Sequence, residues 1–283
     1  MTIGLTGVTG HVGGRVRELL PDTGQPLVLL ARTPSTVTAG PRDEVRPCDF
    51  ADPDGATAAL DGVEILLMVS AAEAADRVDQ HRAFVAAAAA AGVRHVVYTS
   101  FQGAAPDCTF TLGRDHWATE EALRESGMAH TFLRDSFYAD FLPFMAQDGV
   151  LRGPAGDGRV AAVARDDVAA VAAVILAAPD QHAGAAYDLT GPEALSLAEV
   201  AALVTEVTGT PTRYLDETIP EAYASRASYG APDWLVDAWV STYTAIAAGE
   251  VATVSDAVPR LTGRPATSLR ELLLRVRGGA AQS

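Results

Sequence analysis

The residues 7–13, Gly7-Val8-Thr9-Gly10-His11-Val12-Gly13, are of the types and spacing that hold a phosphate. They follow a short apolar run at 2–6 (TIGLT) and open a helical pattern carried by Val12, Val16, Leu19 and Leu20. Glycine permits the tight turn and lets the backbone approach a pyrophosphate, while free amides and the helix dipole hold its charge. A glycine pattern alone is weak evidence, but strand, turn and helix in this order make the segment a dinucleotide site. Gly7, Thr9, Gly10, His11, Val12 and Gly13 are its candidate residues. Arg32 stands just past the second apolar run, where NAD-specific domains place an acid for the ribose 2′-hydroxyl. A cation there suits a 2′-phosphate, so NADPH is expected over NADH. Asp49 and Phe50 end the third run, where an adenine could lie; Asp49 could accept from its exocyclic amine or cap the next helix.

Further along, Ser70 and Ser100 end two more runs, and ligands of open α/β sheets sit outside such strand ends. Ser100 has loop capping as its alternative. His116 and Glu120, four residues apart, share one helix face, where the carboxylate could orient or charge the imidazole. A position early in a helix depresses a histidine pKa, so a proton donor, a neutral hydrogen-bonding ring and a plain surface pair all stay open.

These residues need a scaffold that gathers strand ends, and the apolar pattern provides it. The run 26–30 (PLVLL) is continuous, as in a parallel strand covered on both faces. The stretch 45–50 contains Pro47, which cannot donate to a ladder, so an edge strand is expected. Strands follow at 64–70, 95–100 and 129–133, alternating with helices over about 75–91 and 114–126 that stop at Gly92 and Gly127. Such alternation means a doubly wound parallel sheet. Past residue 134 come a turn-rich stretch at 149–158, a helix at 166–177, a returning strand at 186–189, and then helices broken by Pro, Gly and Thr. The expected α/β fold is a Rossmann domain over 1–134, with 160–190 returning to it, and a smaller, interwoven, mainly helical substrate-binding region over 135–283.

Composition narrows the partners. The 283 residues suffice for a full core, and 48% apolar with 20% charged residues is ordinary for a globular chain. No apolar run is long enough for a membrane span, and the first residues lack a signal peptide's basic start, so a cytoplasmic location is expected. A net charge of −15 argues against nucleic acid and anionic membranes. The partner is then a small-molecule substrate, with a homodimer left open. Cys48 and Cys108 have no metal-like spacing and read as small packing residues, and no metal is called for. Trp117, Trp234, Trp239 and Tyr243 could line an aromatic pocket or simply pack.

Several segments together, GLTGVTGHVGG, LLAR at 29–32, CDF at 48–50, LLMVS at 66–70, VVYTS at 96–100, HTFLRDSFY at 130–138 and GAAYDLTGPEALSLAEVA at 184–201, resemble the NmrA-like branch of atypical short-chain dehydrogenases. Within that branch the chain is most similar to bacterial NAD(P)H:quinone oxidoreductases. The resemblance implies that the segments after Ser70 and Ser100 flank the nicotinamide, and that the region facing it includes the Tyr of the Arg-x-x-x-Tyr segment, here Tyr138, which has half-buried packing as its alternative. Related quinone reductases carry Asn next to that Arg; this chain has Asp135. Short-chain dehydrogenases usually work through a Tyr-x-x-x-Lys pair, but this chain contains no lysine, so that relay cannot exist. The resemblance therefore implies an NADPH-dependent reductase of a quinone or another conjugated, electron-poor compound, with His116 and Tyr138 as candidates for proton transfer. The alternatives are a non-catalytic NADP(H) sensor of the NmrA type and a tailoring reductase of secondary metabolism.

Overall fold

The computed structural model describes residues 1–20, 26–41 and 43–280. The chain forms two compact units and passes from one to the other several times. Residues Met1–Phe101, Asp115–Arg134 and Val168–Tyr187 make the first, and Gln102–Arg114, Asp135–Asp167 and Asp188–Ser283 the second.

In chain order the first elements are β1 (Ile3–Leu5), α1 (His11–Leu19), β2 (Leu27–Ala31), β3 (Glu44–Pro47), α2 (Pro53–Ala59), β4 (Ile65–Met68), α3 (Arg77–Ala90), β5 (His95–Phe101), α4 (Thr111–Glu125) and β6 (Ala129–Asp135). There follow β7 (Ala146–Gln147), β8 (Val150–Gly153), β9 (Arg159–Val160), α5 (Arg165–Ala177), β10 (Ala186–Leu189) and β11 (Leu195–Ser196). The remainder is α6 (Leu197–Thr208), β12 (Arg213–Asp216), α7 (Ile219–Arg226), α8 (Asp233–Ala247), α9 (Ala257–Thr262) and α10 (Leu269–Ala280). Among the described residues no helix is long and apolar enough to cross a membrane.

Seven strands form one sheet in the order β10-β6-β5-β4-β1-β2-β3. Ile3, Gly4 and Leu5 pair in parallel with Leu27, Val28 and Leu29 on one side and Ile65, Leu66 and Leu67 on the other. The doubly wound α/β sheet read from the sequence is thus present, and β3 with its Pro47 lies at the edge. Alternate residues of the continuous apolar runs feed the two faces. On one face Val28, Leu30, Leu66, Met68, Val96 and Tyr98 pack with Ala56 and Ala59 of α2 and with Phe84 and Ala88 of α3. Phe84 is fully buried there, and its truncation to Ala would cost about 3–5 kcal/mol.

The second unit has its own core, in which Ala139, Leu142, Val200, Val204, Leu269 and Leu273 pack together. α6 is fixed at both ends by local chemistry, a Ser196–Glu199 capping box and a left-handed Gly209. Two features depart from expectation. The segment 102–114 belongs to the second unit, which makes the two units nearly equal in length. In addition, β12 pairs in parallel with β8, with Arg213 opposite Val150 and Asp216 opposite Gly153, a strand that the mainly helical expectation did not place.

Candidate functional site

In the first unit a groove of about 320 Å³ is lined by residues 6–9, 30–32, 48–50 and 69–74. The glycine turn is tightly built. Gly7 takes a φ of +64°, and a Cβ on Gly13 would lie 2.4 Å from the Gly7 carbonyl oxygen. Either glycine replaced by a larger residue would force the turn apart. Gly10 begins α1 with no side-chain cap, and no acid lies in the first turn, so the helix amides are open to an anion. Val12 is buried and anchors α1, while Thr9 and His11 are exposed at the turn. These features fit a dinucleotide pyrophosphate.

Arg32 lines the same groove, is exposed, and engages no other side chain among the described residues. Asp49 accepts from the Ala51 amide at 3.0 Å, and the cap of α2 is Asp52 instead. Phe50 stacks on Phe84, with ring centroids 3.8 Å apart. Cys48 beside them is buried, which pushes its thiol up to about 12, so it is an inert packing residue.

The loop after β4 is held by side chains that were not anticipated. Three consecutive amides each find a side-chain acceptor: Val69 donates to Thr6 Oγ1 (2.8 Å), Ser70 to Thr99 Oγ1 (2.9 Å) and Ala71 to His81 Nε2 (3.0 Å). Since His81 Nε2 accepts, its proton resides on Nδ1, which donates to Thr119 Oγ1 at 2.8 Å. Arg77 donates from Nε to the Ala71 carbonyl (3.1 Å) and from Nη2 to His116 Nε2 (3.2 Å). A guanidinium can only donate, so His116 Nδ1 carries the proton and gives it to Tyr98 Oη at 2.9 Å. Ala71 is therefore gripped at both its N–H and its C=O by one buried network with fixed proton positions. Burial, with the Arg77 charge adding, brings His81 down to about 3 and holds His116 well below the usual histidine range.

His116 accordingly lies inside this network, 8% exposed, and does not pair with Glu120 as the spacing suggested. Glu120 is fully buried and accepts from Ser100 Oγ (2.6 Å), Arg124 (2.8 Å) and Arg134 (2.6 and 2.8 Å). A buried carboxylate needs cations, and two arginines outcompete a neutral imidazole. Ser100 thus turns its hydroxyl to Glu120, whereas Ser70 lines the groove. The missed residues Arg77 and His81, and likewise Asp115 and Thr119, stand four apart, a spacing that could have revealed two facing helix stripes.

In the second unit Tyr138 Oη donates to Asp135 Oδ2 at 2.9 Å. Asp135 is 3% exposed, and its other oxygen is buried without a partner among the described residues, as is Ser136 Oγ. Burial raises the Asp135 carboxyl well above its ordinary range and outweighs the Tyr138 hydrogen bond. Tyr138 is itself pushed up, first by burial and then by Asp135. Trp239 and Tyr243 line a separate cavity of this unit; Trp234 is not among its lining residues, and Trp117 lies in the first unit with the Arg124 guanidinium 5.3 Å from its ring centroid.

A doubly wound sheet whose glycine turn opens an uncapped helix defines a dinucleotide-binding protein of Rossmann type. The chain belongs to the NAD(P)H-binding family, whose model matches residues 7–179. It is 34% identical over 277 residues to quinone oxidoreductase 2 of Escherichia coli, covering 95% of this chain and 96% of that one. It is 35% identical over 273 residues to an NAD(P)H azoreductase of Xenophilus azovorans, with 94% and 95% covered. The crystal structure of an Escherichia coli NADPH-dependent quinone oxidoreductase in complex with NADPH superposes with a TM-score of 0.87 at 32% identity, covering 98% of this chain and all of that one. The resemblance read from the motifs is thereby borne out.

Proposed function

We propose that this protein is an NADPH-dependent reductase that reduces a quinone or a similar conjugated, electron-poor small molecule. The observation that carries it is the backbone phosphate cradle of Gly7 to Gly13 with Arg32, unpaired among the described residues, in the same groove. The likeness to a quinone oxidoreductase and an azoreductase over nearly the whole chain supports the substrate class. When bound, the dinucleotide supplies the hydride. The turn binds its pyrophosphate, Arg32 its 2′-phosphate, and Asp49 and Phe50 its adenine. The Ala71 clamp fixes the loop that carries Ser70.

A quinone accepts hydride readily because the product oxyanion is delocalised, so close positioning matters more than strong acid catalysis. That suits a chain without lysine. One proton must still reach the reduced oxygen, and Tyr138 with the Asp135 carboxyl, whose hold on a proton burial strengthens, is the pair placed to supply it. His116, with both ring nitrogens engaged, positions the loop instead of donating.

Consumption of NADPH with a panel of quinones tests the reading. Tyr138→Phe is expected to lower kcat roughly 100-fold, in the range of a lost proton donor, with NADPH affinity unchanged. No turnover with any quinone, together with tight binding of oxidised cofactor, would sink the reductase in favour of a sensor.

A further inference from the structure

The second unit contains a cavity of about 420 Å³ in which five of the eleven lining residues are aromatic, Phe141, Phe144, Tyr229, Trp239 and Tyr243. Phe144 is 73% exposed and Phe141 49%, far more than a packing role requires. Gly153 makes one wall possible, since a Cβ there would lie 2.2 Å from the Tyr243 ring. Two arginines and no carboxylate line the cavity, in a chain with 36 acidic and 21 basic residues.

The two arginines differ in what they have left to offer. Arg226 is 7% exposed and committed to internal partners: it pairs with Glu217 at 3.0 Å, donates to the Ala222 and Arg152 carbonyls, and lies 5.0 Å from the Tyr243 ring centroid. Arg152 is exposed, and its guanidinium engages no partner among the described residues. Strand alternation along β8 turns Leu151 and Gly153 inward, leaving Val150 and Arg152 on the face that lines the cavity. An aromatic slot takes a planar apolar body, and a free guanidinium beside it takes an oxyanion through paired, charge-assisted hydrogen bonds.

We propose that this cavity seats the planar part of the substrate and that Arg152 selects substrates bearing a carboxylate, sulfonate or phosphate group over their neutral counterparts. The kinetic consequence rests on the reductase reading; the binding consequence does not. Equilibrium titration of the protein with anilinonaphthalene sulfonate and with its uncharged parent, followed by fluorescence, tests the binding. Arg152→Gln is expected to weaken the sulfonate roughly tenfold and the parent less than about twofold. Arg82→Gln, the same charge change at an exposed arginine that does not line the cavity, is expected to leave both affinities unchanged. A loss shared equally by the two ligands, no loss for the sulfonate, or an equal loss in Arg82→Gln overturns the proposal.

In turnover, Arg152→Gln should raise KM for a naphthoquinone sulfonate by the same factor, with kcat and the KM for plain naphthoquinone retained. If the unmodified protein reduces no quinone, the reductase reading fails, while the fluorescence titration still decides for or against Arg152.

Discussion

In the first unit the polar groups around Ala71 satisfy one another in a closed network, whereas in the second, among the described residues, Gln102 Oε1, Asp135 Oδ1 and Ser136 Oγ are buried without partners and the Arg152 guanidinium engages none. Only His95 Nδ1 is left so in the first unit, among the described residues. Buried polar atoms are costly unless paired, so a saturated region is rigid before any ligand arrives, and an unsaturated one keeps donors and acceptors for something else. The contrast matches the two tasks proposed: holding one invariant dinucleotide, and accommodating a variable substrate.

The largest effect is expected where main chain does the recognition. Gly13→Ala places a Cβ 2.4 Å from the Gly7 oxygen and must open the turn, an overpacking cost of roughly 1–3 kcal/mol. NADPH affinity should fall up to about 100-fold by titration, with the thermal midpoint measured alongside as a control for folding. Unchanged affinity would remove the backbone half of the comparison.

His116→Phe probes the saturated network. It takes the acceptor from Arg77 Nη2 and one of the partners from Tyr98 Oη, which keeps Thr119; the orphaned donor costs roughly 1–3 kcal/mol, so the denaturant midpoint should drop clearly. Because burial keeps this imidazole neutral, the pH profile of turnover should retain its shape. A changed profile with intact stability would return His116 to the role of proton donor.

A smaller effect is expected at Arg32, a single surface cation. Arg32→Ser should weaken NADPH roughly tenfold and NADH less than about twofold, as a lost 2′-phosphate contact does. Equal losses for both cofactors would mean that Arg32 serves the fold of the groove and not its selectivity.

The same division governs what could be read in the sequence. The turn at Gly7 to Gly13, the edge strand with Pro47 and the helix stops at Gly92 and Gly127 are local backbone requirements, and local residue types announce them. β12 is not of this kind. Its RYLD is short and polar, and its partner β8 lies some sixty residues earlier, so nothing in the segment itself signals pairing. Glu120 was legible as a helix-face residue, but its choice of Arg124, Arg134 and Ser100 over His116 depends on which strands lie beneath α4. His81 was hidden for another reason: alanines on every side of α3 blur the apolar stripe that would have marked its face as buried.

Asp135 gives the finest test of the unsaturated region. Burial raises its carboxyl above the ordinary 3.8, so over the window above that value the folded protein retains a proton that the unfolded chain releases. Stability from this group is complete below the unfolded pKa and is lost as pH rises toward the folded one. Asn does not titrate, and its amide donates where a protonated carboxyl offers an O–H. Asp135→Asn should therefore match the parent's thermal midpoint near pH 4, exceed it near pH 8, and alter quinone KM less than about threefold. Parallel stability curves for the two proteins would mean that Asp135 is ionised in the folded state, and the buried oxygen would then have to be counted as a charge and not as a hydrogen-bonding valence.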